Sequence, residues 1–162
     1  MKKGFLFLCL LTALLCCKQS DERYYSESPE IEYTKALLSY YSTFNFGGIK
    51  SIYSDSVKIY ENSLESYNVE KLLATLKSDE SKIEYQRLED SLHVEMIVND
   101  KNETWVYGWY LWKIKYDNNT KEYKVPVQSS WQFLNNKIIK EYTYYDASIF
   151  YSRYDSIRIS NN

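Results

Sequence analysis

Thr104-Trp105-Val106-Tyr107-Gly108-Trp109-Tyr110-Leu111-Trp112-Lys113-Ile114-Lys115-Tyr116 is followed, after the turn Asp117-Asn118-Asn119-Thr120, by the strand-like run Tyr123 to Leu134. The tight loop Asn135-Asn136 then leads into Lys137 to Tyr145. Aromatic and β-branched residues dominate all three runs, and polar turn residues separate them, which is the pattern of long strands meandering antiparallel. Upstream, Lys82 to Leu88 and Leu92 to Val98 also alternate, with the turn cluster Asn99-Asp100-Lys101-Asn102 behind them. Before Lys77 the period changes to that of a helix. Ser28-Pro29-Glu30 reads as a helix start, with a capping serine, proline at the first position and an acid in the first turn. Tyr33, Leu37, Tyr40, Tyr41 and Phe44 form its apolar stripe, and Gly47-Gly48 is expected to close it. A second short helical turn is expected from Gly48 to Tyr53, and a brief strand from Val57 to Tyr60. Asn68 caps a third helix, Val69 to Lys77, with Leu72, Leu73 and Leu76 on its buried face. Helices followed by a strand meander make an α+β domain, three N-terminal helices packed on a curved antiparallel sheet.

The chain has 162 residues, 18 of them Tyr, with 20 Lys+Arg against 22 Asp+Glu. A near-balanced charge argues against a nucleic-acid partner, which calls for clustered basic residues. All three cysteines, Cys9, Cys16 and Cys17, fall at the N-terminus. There Lys2 and Lys3 precede a short apolar run, Phe5 to Leu15, in the manner of a signal peptide covering residues 1–16. Leu14-Leu15-Cys16-Cys17 resembles a bacterial lipoprotein signal, with Cys17 the expected lipidation site and Cys16 the fallback. Cleavage there leaves one lipidated cysteine and no free thiol for redox or thiolate-metal chemistry. Residues 17–28 then read as a flexible tether, and the acidic pair Asp21-Glu22 resembles an export tag to the outer face of the outer membrane; a periplasm-facing anchor is the alternative. The expected location is therefore the cell envelope, as an outer membrane lipoprotein.

The order of helix, Gly-Gly turn, short helix, strand, helix and curved sheet resembles the nuclear transport factor 2-like (SnoaL-like, cystatin-like cone) superfamily. The local match lies in Thr104-Trp105-Val106-Tyr107-Gly108-Trp109 and in Trp131-Gln132-Phe133-Leu134-Asn135-Asn136-Lys137-Ile138 running to Tyr144-Tyr145-Asp146. It covers residues 29–150 and leaves a tail, 151–162. The resemblance implies a cone with a mostly apolar pocket, a shape that hosts isomerases, cyclases, hydrolases, dehydratases and non-catalytic binding modules alike. In ketosteroid isomerase a carboxylate base works beside a tyrosine and a protonated aspartic acid. The resemblance puts Ser129 where that acid would stand and Tyr145 where an aromatic lines the pocket, so the isomerase constellation is incomplete here. Asp55 lies in the region of the base but reads equally as a turn residue.

The remaining chemistry is sparse. His93, the one histidine, alternates with Leu92, Val94, Met96 and Val98, which places it with Glu95 on a solvent face. One His and no free Cys make zinc an unpromising ligand, and no metal or cofactor is expected. Asp146 is a candidate acid/base carboxylate at a strand end; its competing and preferred role is to accept from backbone amides. Glu141 shares a face with Thr143 and Tyr145, and either points into the cone or lies exposed beside Lys140. Trp105, Trp109, Ser129, Trp131, Thr143 and Tyr145 are the candidate pocket residues. Trp105, Tyr107 and Trp109 alternate against Tyr110, Trp112 and Tyr116, and one small cone cannot bury both sets. The second set of aromatics implies an interface on the sheet face, for a homodimer or another protein, or a platform for glycans. The expected function is that of a lipid-anchored envelope protein that binds a small apolar or aromatic ligand, or a protein partner, without catalysis. An isomerase-, cyclase- or dehydratase-type enzyme is the alternative, and an interaction module with a self-filled cone is a third.

Overall fold

The computed structural model describes residues 23–148 apart from 90 and 118. The signal segment 1–16, Cys17, most of the tether and the tail 151–162 lie outside the described residues. Strand β1, Tyr24–Tyr25, precedes helix α1, Pro29–Ser42. The Ser28 hydroxyl accepts from the Ile31 N–H at 3.1 Å, so α1 begins on the cap and proline visible in the sequence. Ile31, Thr34, Leu37 and Leu38 form its buried face, while Tyr33, Tyr40 and Tyr41 pack half-buried against the core.

Gly47-Gly48 does not close α1. Phe44 takes a left-handed φ of 50°, and the Asn45 side chain then accepts from the Gly48 N–H at 2.9 Å to open α2, Phe46–Ile52. Both glycines belong to the first turn of α2, and neither has positive φ. The need at Gly48 is steric: a Cβ there would stand 2.7 Å from the Tyr40 ring. Strand β2, Tyr53–Glu61, follows directly, longer than the expected Val57 to Tyr60. Asn68 caps α3, Val69–Glu80, by accepting from the Lys71 N–H at 3.0 Å, and Val69 and Leu72 are buried.

Strands β3 (Ile83–Leu88), β4 (His93–Val98), β5 (Thr104–Tyr116), β6 (Glu122–Leu134) and β7 (Lys137–Tyr145) complete the sheet. Its order is β1-β4-β5-β6-β7-β2, with β3 also on β5. β4 and β3 share one edge of the long β5 in succession, at 104–109 and 112–116. Asn135 and Asn136, with φ of 50° and 61°, make the two-residue turn that keeps β6 and β7 in register. The sheet is mixed, because β2 runs parallel to β7. Helices flank β2 on both sides, so no hairpin dictates its direction. Register shifts at Gln132/Phe133 in β6 and at Tyr53/Lys58 in β2 interrupt the ladders where the sheet curves around the helices.

The three described helices cover the inner face. Ile31, Leu37, Ile49, Ile59, Val106, Trp131 and Ile138 form the centre of the core. Trp131 is 1% exposed, and it fits because its inner-face neighbour is Gly108, where a Cβ would lie 2.9 Å from the indole.

Candidate functional site

Between α1, α3 and the inner face of the sheet lies a cavity of about 830 Å³, within the roughly 300–1,000 Å³ common for small-molecule pockets. Leu38, Leu72, Leu76, Trp112, Ile114, Val125 and Val127 give it apolar walls, and Tyr41, Tyr67, Tyr110, Tyr145, Thr143, Glu61 and Glu141 a polar one. Strand register explains the polar set. Glu141, Thr143 and Tyr145 are alternate residues of β7 and stand opposite Trp131, Ser129 and Val127 of β6. Beyond β6, Gly108 and Tyr110 of β5 face Ser129 and Val127. On the other side, Ile59 and Glu61 of β2 pair with Glu141 and Thr143. Period two thus points one row of each strand into the same space.

Glu141 is 7% exposed and has no ion pair among the described residues. The Tyr53 hydroxyl donates to its Oε2, and the Thr143 hydroxyl to its Oε1 at 2.8 Å. Tyr41 and Tyr53 are hydroxyl to hydroxyl at 2.9 Å. Ser129, fully buried, bridges Thr143 at 2.7 Å and Tyr110 at 2.9 Å. One hydrogen-bonded chain therefore runs Tyr41, Tyr53, Glu141, Thr143, Ser129, Tyr110. The second carboxylate, Glu61, accepts from Tyr67 at 2.6 Å and Tyr145 at 2.7 Å.

Burial pushes the Glu141 carboxyl above the ordinary value, and the hydrogen bonds from Tyr53 and Thr143 only partly offset that; the charge of Glu61 adds to the rise. Burial likewise raises the Tyr41, Tyr53, Tyr67 and Tyr110 phenols, so all four stay protonated at any physiological pH. The Trp131 indole N–H is buried and lacks a hydrogen-bond partner in good geometry, yet it lies close enough to favour the ionised form of Glu141.

Glu141, Thr143 and Tyr145 are in the cavity wall, Ser129 stands one hydrogen bond behind it, and Trp131 closes the core beside Glu141. Trp105 and Trp109 are not pocket residues. They pair with Gln132 and Gln128 on the opposite face, and Trp109 is 42% exposed. With Tyr107, Tyr142 and Tyr60 they form a row of near-parallel rings, 6.4, 6.4, 6.3 and 4.7 Å apart from Trp109 to Tyr60. The cavity takes the other row of β5, Tyr110, Trp112 and Ile114, because α1 and α3 pack on that side. Asp146 is no acid/base candidate. It is exposed beyond β7, and the Ser148 N–H donates to it at 2.9 Å and holds its carboxyl below the usual range. Asp55 is exposed. His93 lies on the outer face, 3.8 Å from Glu95 and with its ring 5.7 Å from that of Trp109.

Sequence reading missed Glu61, Tyr41, Tyr53, Tyr67 and Tyr110. For Glu61 the signal was there: Val57, Ile59 and Glu61 are alternate residues of one strand. Among the described residues no cluster of His, Cys, Asp and Glu could hold a metal ion, and no helix is long and apolar enough to cross a membrane.

No protein-family model and no curated protein sequence matches the chain. Solved structures do. An epoxide hydrolase of the LEH-like type from M. tuberculosis superposes with a TM-score of 0.60 at 10% identity, over 76% of this chain and 87% of that one. A nuclear transport factor 2-like protein from Burkholderia pseudomallei gives 0.60 at 11%, over 75% and 94%. A SnoaL-like protein of the polyketide-cyclase type from Shewanella denitrificans gives 0.58 at 10%, over 80% and 99%. Superposing this well over most of each chain at such low identity, these structures show that this chain has the nuclear transport factor 2-like, SnoaL-like fold.

Proposed function

We propose that this chain is a lipid-anchored cell-envelope protein whose cone binds a small, largely apolar ligand without transforming it. The observation that carries the reading is the open cavity with apolar walls and one buried polar patch. The cone is not filled by its own side chains, which disfavours a purely structural module. Both carboxylates of the patch are engaged on each oxygen by tyrosine or threonine hydroxyls, a held arrangement suited to orienting a ligand. Native mass spectrometry of the protein extracted gently from its own envelope tests this. A reproducible small-molecule adduct, lost when Trp112 is replaced by Ala, is the expected result. A folded protein found only at its bare mass would remove the reading.

A second reading has one observation in its favour, the raised carboxyl of Glu141 beside tyrosine donors. It is an acid/base enzyme of the isomerase, cyclase or dehydratase type, and cyclase is the activity in the names of some of the similar structures. Turnover of a bound ligand that Glu141→Gln abolishes while binding persists would favour it over simple binding.

A further inference from the structure

The proton count of the polar patch limits what the cavity can hold. Each hydroxyl has one proton to give. Thr143 gives its proton to Glu141, so in the 2.7 Å contact Ser129 must donate to Thr143. Ser129 is then spent, so Tyr110 donates to Ser129 at 2.9 Å. On the other arm Tyr53 gives its proton to Glu141, so Tyr41 donates to Tyr53. With Glu141 ionised, all five hydroxyl protons run toward it. Tyr41 and Tyr110, the two ends that line the cavity, turn only lone pairs to the space. Tyr67 and Tyr145 spend their protons on Glu61 in the same way. Of the other polar side chains beside these two ends, Gln86 donates to the Tyr41 carbonyl at 2.7 Å, Trp112 to Gln86 at 3.4 Å, and Thr75 to the Lys71 carbonyl at 3.1 Å.

Charge points the same way. Three carboxylates line the cavity, Glu61, Glu141 and Asp79, and among the described residues neither Glu61 nor Glu141 has an ion pair. The two lysines of the lining are engaged by other groups: Lys71 sits over the Tyr67 ring at 5.6 Å, and Lys82 holds Asp79 at 3.2 Å. We propose that the cavity selects a ligand carrying an ammonium head on an apolar body, its N–H groups donating to the outward lone pairs of Tyr41 and Tyr110 while the body lies on the Leu72, Trp112 and Val127 wall. This rests on the ligand-binding reading above and names the ligand's chemical class. At Tyr41 and Tyr110 a carbonyl or carboxylate head would meet acceptors only, and desolvated acceptors facing acceptors are costly.

The count also says what protonation does. A proton on Glu141 must be donated into one arm, whose hydroxyls then reverse, so that Tyr41 or Tyr110 donates into the cavity. The titratable groups facing Glu141 are Tyr41 from α1, Tyr53 and Glu61 from β2, Tyr67 from the segment before α3 and Tyr110 from β5. The phenols remain protonated, so Glu141 is the group that reverses the arm. Glu141→Gln imitates this state with the same shape, since its amide must donate on one side.

The test is calorimetric titration of the full-length protein with four probes that share one body: adamantylamine, adamantanol, adamantanone and adamantane carboxylate. The amine is expected to bind about tenfold or more tighter than the ketone or carboxylate, the scale of one charge-assisted hydrogen bond. In Glu141→Gln that preference should narrow or invert, as it should in the wild type on acidification. If ketone or carboxylate matches the amine in the wild type, the polarity proposal falls and ligand binding stands. If none of the four binds, the binding reading fails and the proposal falls with it.

Discussion

Glu141 joins burial, hydrogen bonding and pH in one side chain. Its carboxyl is raised above the ordinary value near 4.5, with burial the first cause. Between that value and the raised one, the folded protein holds a proton that the unfolded chain has released. Stability contributed by the neutral form is therefore complete below about 4.5 and declines as pH rises through the folded-state value. Glu141→Gln lacks this decline. The melting temperature of the variant relative to wild type is expected to rise across that window and to stay flat below it. A difference independent of pH would show that Glu141 is not held neutral by the fold. Glu141→Leu is a different experiment, because it strands the Tyr53 and Thr143 hydroxyls without their acceptor, at about 1–3 kcal/mol for each buried unpaired group. It should destabilise at every pH.

Local elements show where sequence reading succeeds and where tertiary contact overrides it. The caps Ser28 and Asn68, the asparagine turn at Asn135-Asn136 and the β4 to β7 meander were legible because each depends on residues adjacent in sequence. Gly47-Gly48 was misread because the feature that requires a glycine is the Tyr40 ring, from the preceding helix, against Gly48. The two glycines therefore separate experimentally. A methyl at Gly47 meets nothing nearer than 3.8 Å, so Gly47→Ala should stabilise α2 by roughly 0.5–1 kcal/mol. Gly48→Ala drives a Cβ into the ring and should cost about 1–3 kcal/mol, read as opposite shifts in thermal melting. The pocket face of β5 was ambiguous for a related reason: both its rows are aromatic, so alternation marks a strand without naming its buried side. Trp109→Ala should consequently leave adamantylamine affinity unchanged, while Trp112→Ala lowers it; equal losses would contradict the face assignment.

For the whole molecule, the cone is separable from the proposed attachment to the envelope, which is argued from sequence chemistry alone. The apolar run Phe5 to Leu15 is shorter than the roughly 20 residues that span a bilayer, so the proposed anchoring calls for acyl chains, and for more than one of them. Cys17 is the expected acceptor because Cys16 is the smaller neighbour at the preceding position, whereas acylation of Cys16 would put Leu15 there. Cys17→Ala should then abolish incorporation of a clickable fatty-acid label and release the protein from the membrane fraction. Cys16→Ala should keep the label, since alanine suits the position before the lipidated cysteine. Label retained on Cys17→Ala but lost on Cys16→Ala would move the acceptor by one residue, and label on neither wild type nor variant would end the lipoprotein reading. A chain expressed from Lys18 should keep the probe affinities of the anchored form, because every residue of the Glu141 patch lies at Tyr41 or beyond.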